Sequence, residues 1–108
     1  MPQLSEARVR HEGNVLLYPV TGDFTARSAM LYKEEMLKSK DRLSGKVILD
    51  MTAVADADIV GVNVLVQLLL FVRRQGGIME VHLTRGGSLD NILRLTKFHH
   101  YFNLVFPS

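Results

Sequence analysis

The sequence predicts an α/β fold around a largely parallel or mixed sheet, and three observations carry the prediction. Residues 15–20, 47–51, 78–83 and 104–106 are β-branched or aliphatic runs of strand length. Between them lie segments with apolar residues at helical spacing, over about 26–40, 60–75 and 88–97. Turn chemistry (Thr21-Gly22-Asp23, Ser44-Gly45, Gly76-Gly77, Gly86-Gly87) punctuates the joins. Strands separated by helices require crossover connections, which are right-handed and favour parallel pairing. The expected order is β-β-α-β-α-β-α-β, without internal repeats, and 108 residues suit one domain.

Residues 8–20 read as a hairpin turning at Glu12-Gly13-Asn14, with Pro19 near a strand end or on an edge because it lacks an N–H. Thr21-Gly22-Asp23 is expected to break that strand. Thr25 suits the N-cap of a helix to about Lys40 whose inward face is Ala29, Tyr32, Met36 and Leu37. Lys33, Glu34, Lys38 and Lys40 stay in water, and Lys38, Lys40 and Arg42 suit the negative helix end. Val47-Ile48-Leu49 shows no alternation, which predicts a strand covered on both faces or paired in parallel. A loop carrying Asp56 and Asp58 follows. The next helix has Val62, Leu65, Val66, Leu69 and Val72 in one stripe, widened by Val64, Leu68 and Phe71. Asn63, Gln67 and Arg74 leave a narrow polar strip, broken by Leu70. Such a helix must be nearly surrounded. Arg73, Arg74 and Gly76 are its stop signals. After the strand at 78–83, Ser88 is expected to cap a short helix with Asp90 in its first turn and Leu89, Ile92, Leu93 and Thr96 facing inward. A last strand at 104–106 ends at Pro107.

Composition narrows the function classes. Thirteen basic and eleven acidic side chains give a formal charge of +2, interspersed without the basic stripe that nucleic acid demands. The chain has no cysteine, so disulfides, thiolate metal sites and a cysteine nucleophile are excluded. The start MPQLSEARVR lacks the apolar region of a signal peptide. The longest apolar run, of about fourteen residues, falls short of the ~20 a membrane span needs. A soluble, cytoplasmic protein is expected.

Four stretches together resemble the STAS-domain family of the anti-sigma-factor-antagonist type. GDFTARSAMLYKEEM is similar to the family's G-E-L-D-x-x-x-A entry into its first helix. VILDMTAVADADIVGVNVLVQL is similar to the block of hydrophobic strand, L-D-L-S, loop, D-S-S-G-L and apolar helix. QGGIMEVHL resembles the G-G strand that follows, and LRLTKFHHYFNLVF the closing L-x-L-T-G segment. The resemblance spans Gly22 to Phe106. It implies a small domain with a four- to five-stranded mixed sheet and helices packed mainly on one side. The family often carries a further C-terminal helix beyond the point where this sequence stops. An apolar central helix without that cover makes a homodimer an expectation too.

The resemblance also implies a switch. In the family the first serine of D-S-S-G is phosphorylated by an anti-sigma kinase. Asp58 matches the Asp, Ile59 the phospho-acceptor, Val60 the second Ser and Gly61 the Gly. Ile59 has no hydroxyl, so the phosphosite is lost, and Asp56 replaces the usual aromatic or aliphatic residue. On the physics alone, Asp58 is expected to cap the helix, whose N-terminus presents unpaired N–H groups. Exposed Ile59 or Val60 rimmed by carboxylates would form a protein-docking patch. The expected partner-binding residues are therefore Asp56, Asp58, Ile59, Val60, Asn63, Val64 and Gln67. The expected partner is an anti-sigma factor, a kinase of that type or another signalling protein. No nucleic acid, membrane insertion, cofactor or metal is expected. The alternatives are a cytoplasmic accessory subunit of a membrane transporter and a nucleotide- or lipid-sensing domain.

Catalytic readings are weaker. Asp50 as a phospho-acceptor would need an acidic pair on the first long strand to hold Mg²⁺, and residues 15–20 supply none. Asp56 and Asp58 are too few for a cation site. His99 and His100 are expected to point apart, and His11 and His82 stand alone in sequence. Gly86-Gly87-Ser88 precedes a helix and could cradle phosphate but lacks the lysine of a P-loop, so a capped turn is the default. A non-enzymatic protein is expected.

Overall fold

The computed structural model describes residues 10–38 and 43–107. Strands β1 (Arg10–Glu12) and β2 (Val15–Phe24) form the hairpin, turning at Gly13-Asn14. Helix α1 (Ala26–Leu37) leads to β3 (Lys46–Ala57), and α2 (Ile59–Arg74) to β4 (Ile78–His82). Helix α3 (Ser88–Leu95) and a 3-10 turn (Phe98–Tyr101) precede β5 (Asn103–Val105). Residues 8 and 9 of the expected hairpin, and Lys40 and Arg42 beyond α1, lie outside the described residues.

The sheet has five strands in the order β1-β2-β3-β4-β5. β1 is antiparallel to β2, and the other three pairings are parallel, so the sheet is mixed. Each parallel step moves to the neighbouring strand in the same direction, and right-handed crossovers then place all three helices on one face. Burial follows the pleat. Leu16, Tyr18, Val20, Val47, Leu49, Met51, Met79 and Val81 are buried on the helix side, while Leu17, Ile48, Asp50, Glu80 and His82 on the other face are half-exposed. Of the two arrangements that Val47-Ile48-Leu49 allowed, parallel pairing is the one observed, since Ile48 is only half-buried.

β2 and β3 are longer than the sequence implied. Thr21-Gly22-Asp23 does not end β2, and 52–57, expected as a loop, continue β3 in register with them as far as Phe24 and Ala57. Two register shifts keep the strands paired, between Pro19 and Thr21 and between Gly22 and Asp23, where Gly22 has a φ of +75°. Tyr32 on α1 secures the first shift: its hydroxyl donates to the carbonyl of Thr21 at 3.1 Å and accepts from the Thr21 amide at 3.3 Å. Pro19, expected at a strand end or on an edge, instead lies in the middle of β2, opposite Asp50 of β3 and beside the first register shift, where the ladder is already irregular.

α2 lies against the sheet between α1 and α3 and buries Gly61, Val62, Val64, Leu65, Leu68, Leu69 and Val72. That stripe is covered by the chain's own sheet and helices. On the same helix Leu70 stays exposed. The helix ends in a Schellman motif: the Gly76 amide donates to the Arg73 carbonyl at 3.0 Å and the Gly77 amide to that of Val72 at 2.9 Å. Gly76 takes the left-handed conformation that this motif requires, at φ +82°.

Candidate functional site

The C-terminal ends of β2 and β3 and the N-terminal ends of the helices meet at one rim. Asp58 is the N-cap of α2, as expected: its Oδ1 accepts from the Gly61 amide at 2.9 Å. Its other oxygen, Oδ2, accepts from the amide of Ala26 at 3.2 Å, the first residue of α1. One carboxylate thus serves two helix N-termini, where negative charge is favoured. Gly61 brings the two together. A Cβ there would fall 2.1 Å from the carbonyl oxygen of Phe24, so only glycine lets the first turn of α2 rest on the end of β2.

Asp56 lies on β3 rather than in a loop. Its Oδ1 accepts from the Ser88 hydroxyl at 2.9 Å and from the Ala57 amide at 2.9 Å. Ser88 is the first residue of α3 and not its N-cap; Gly87 holds that position. The Ser88 hydroxyl is drawn to β3, where it also accepts from Ala57 at 3.2 Å. Sequence reasoning missed this link, whose partners are 32 residues apart.

Both apolar residues that open α2 face water: Ile59 is 47% and Val60 36% exposed. Ile59, Asn63 and Gln67 follow one another at i, i+4 and i+8 on the outer face of α2. Gln67 accepts a hydrogen bond from the ammonium of Lys33 on α1. Val64 departs from expectation. It is 1% exposed, because its place in the helical turn points it into the core with Leu68, and it offers no contact surface. The exposed set is therefore Asp56, Ile59, Val60, Asn63 and Gln67, with Asp58 beneath as the cap.

Asp50 and the Gly86-Gly87-Ser88 turn are engaged within the fold. Asp50 Oδ1 accepts from the Thr52 hydroxyl at 2.7 Å and its amide at 3.1 Å. Asp90, 3% exposed, accepts from the Gly86 amide at 2.8 Å and from Arg94 Nε at 2.8 Å. A carboxylate thus occupies the place an anion would need in the Gly86-Gly87-Ser88 turn. Burial works against the charge on Asp90, but the Gly86 amide and Arg94 outweigh it and hold its pKa below the ordinary aspartate value. His99 and His100, expected to point apart, instead lie against each other with ring centres 3.9 Å apart and planes tilted by 37°. Among the described residues no three His, Asp or Glu side chains gather as a metal site would require. No helix among them is long and apolar enough to cross a membrane.

Solved structures share this fold. A Thermotoga maritima protein assigned as an anti-sigma factor antagonist superposes with a TM-score of 0.78 at 16% identity, over 93% of this chain and 85% of that one. An anti-sigma factor antagonist from Mycobacterium paratuberculosis gives 0.78 at 19% identity, over 93% of this chain and 83% of its own. No curated protein sequence matches the chain. The STAS domain model matches residues 6–108, which takes in every described strand and helix. The chain belongs to the STAS-domain family.

Proposed function

We propose that the chain is a non-enzymatic interaction module of the anti-sigma-factor-antagonist kind, which docks a regulatory protein through the leading end of α2. The observation that carries this reading is the exposure of Ile59 and Val60 on a helix start whose Gly61 amide is already taken by the Asp58 carboxylate. An apolar pair in water, flanked by Asp56 and the amides of Asn63 and Gln67, has the makeup of an interface centre with a polar rim. The structural neighbours assigned as anti-sigma factor antagonists support a protein partner of that class. By resemblance, Ile59 stands where such proteins carry a phospho-acceptor serine. Its side chain has no oxygen to accept a phosphoryl group, so docking here is free of phosphorylation at that position. The setting would be the bacterial cytoplasm.

The test is co-purification of the tagged chain and of an Ile59→Glu/Asn63→Glu variant from the host, with partners identified by mass spectrometry. Both substitutions are at exposed positions, and thermal melts verify that the variant folds. An anti-sigma-type partner held by the native chain and lost by the variant supports the reading. Equal retention by both overturns it. Recovery of permease or ATPase subunits instead would place the chain in a transporter.

A further inference from the structure

The other end of α2 carries a second surface. A groove of about 250 Å³ runs between α1 and α2, floored by Leu37, Leu70 and Phe71 and edged by Lys33, Gln67 and Arg74. Leu70 is 46% exposed, and Leu37 and Phe71 are half-buried. Its edge is of one sign. Among the described residues, neither Lys33 nor Arg73 nor Arg74 has a carboxylate within ion-pair distance, and Glu35 of α1 is taken by Lys38 at 3.5 Å. The negative end of α2 favours the two arginines but supplies only about half a unit charge. Lys33 finds a neutral amide oxygen, that of Gln67, rather than an anion.

We propose that this groove binds a short amphipathic helix of a partner protein, with aliphatic residues at i, i+4 and i+7 facing the groove and glutamates or aspartates beside them. The furrow between two packed helices accepts a row of side chains at that spacing, as in helix-in-groove recognition. Leu70 and Phe71 provide the apolar contact. Lys33 and Arg74 supply the cations that an acidic flank would pair with and a basic one would be repelled by. An apolar floor with cations only at its edge disfavours a nucleic acid, which needs a cationic track along its phosphates. Arg74 lies fifteen residues beyond Ile59, about 22 Å along the helix; Gln67 borders both surfaces, and substitutions at Ile59 or at Lys33 and Arg74 tell them apart.

The probe is a fluorescein-labelled, helix-stabilised peptide with leucines at that spacing and flanking glutamates, beside a counterpart with lysine in place of each glutamate. Binding is read by anisotropy, and the binding site by amide resonance shifts in the ¹⁵N-labelled protein. The acidic peptide is expected to saturate and to move the resonances of Lys33, Leu70 and Arg74. Lys33→Glu/Arg74→Glu should weaken it by about tenfold or more, the loss of two charge pairs, while Ile59→Glu leaves it unchanged. Absent binding, equal binding of the lysine peptide, or indifference to Lys33→Glu/Arg74→Glu would overturn the proposal. So would sedimentation of the native chain as a dimer that this variant dissolves, which would assign the groove to a second copy.

Discussion

Lys97 holds a φ of +63°, the left-handed region, and is alone in this among the described non-glycine residues. It sits between α3 and the 3-10 turn, where the chain must reverse sharply to reach β5. The closing L-x-L-T-G pattern places a glycine at this position. A Cβ in that conformation costs roughly 1 kcal/mol, part of which glycine returns as extra freedom in the unfolded chain. Lys97→Gly is therefore expected to stabilise the protein by about 0.5–1 kcal/mol, seen as a higher urea midpoint with an unchanged slope. Single residues were also where the sequence was most and least legible. The capping role of Asp58 could be read from its place before an apolar helical run. Asp56 and Ser88 could not be paired, because no local pattern marks a hydrogen bond between the end of a strand and a helix formed 32 residues later. Val64 was expected both in the apolar stripe and among the contact residues, and only the first holds, because the helical turn that exposes Asn63 carries the next side chain into the core.

Between elements, the most consequential tie is the Asp58 carboxylate shared by α1 and α2. Asp58→Ala removes an N-cap, at about 1 kcal/mol, and also strips the Ala26 amide of its acceptor. The combined loss should be near 2 kcal/mol, a fall in Tm of order 10 °C for a chain of this size. Asp58→Asn should fall between the two, since its single oxygen can serve the Gly61 amide but not both helices. Thermal unfolding of the three proteins checks the ordering. Element types and order were legible in the sequence because apolar period separates strands from helices. The outer parts of β2 and β3 were not. Thr21-Gly22-Asp23 has the composition of a turn, and what keeps it in the sheet is Tyr32 of α1 and the bulge at Gly22, both tertiary effects.

For the molecule as a whole, stability should depend on two carboxylates held below their ordinary pKa values. Asp90 is lowered by the Gly86 amide and Arg94 against its own burial. Glu80, on the open face of the sheet, is lowered first by its hydrogen bond with His82 and then by Lys46, at 3.0 and 2.9 Å. A group whose pKa is lower folded than unfolded binds fewer protons in the native state, so stability rises with pH across that interval. The stabilisation is complete above the ordinary carboxylate range and is lost as the pH falls below about 4 toward the folded values. Urea midpoints measured across the acid range should decline there, and Asp90→Asn should flatten part of that decline while lowering the midpoint at neutral pH.

The sheet also tapers. Nine residue pairs join β2 to β3, five join β3 to β4, and three join β4 to β5. Partial opening thus begins at the short outer strands and spares the long central zipper, whose loss amounts to global unfolding. The first turn of α2, seated through Gly61 on the end of β2, is held by the last part to let go.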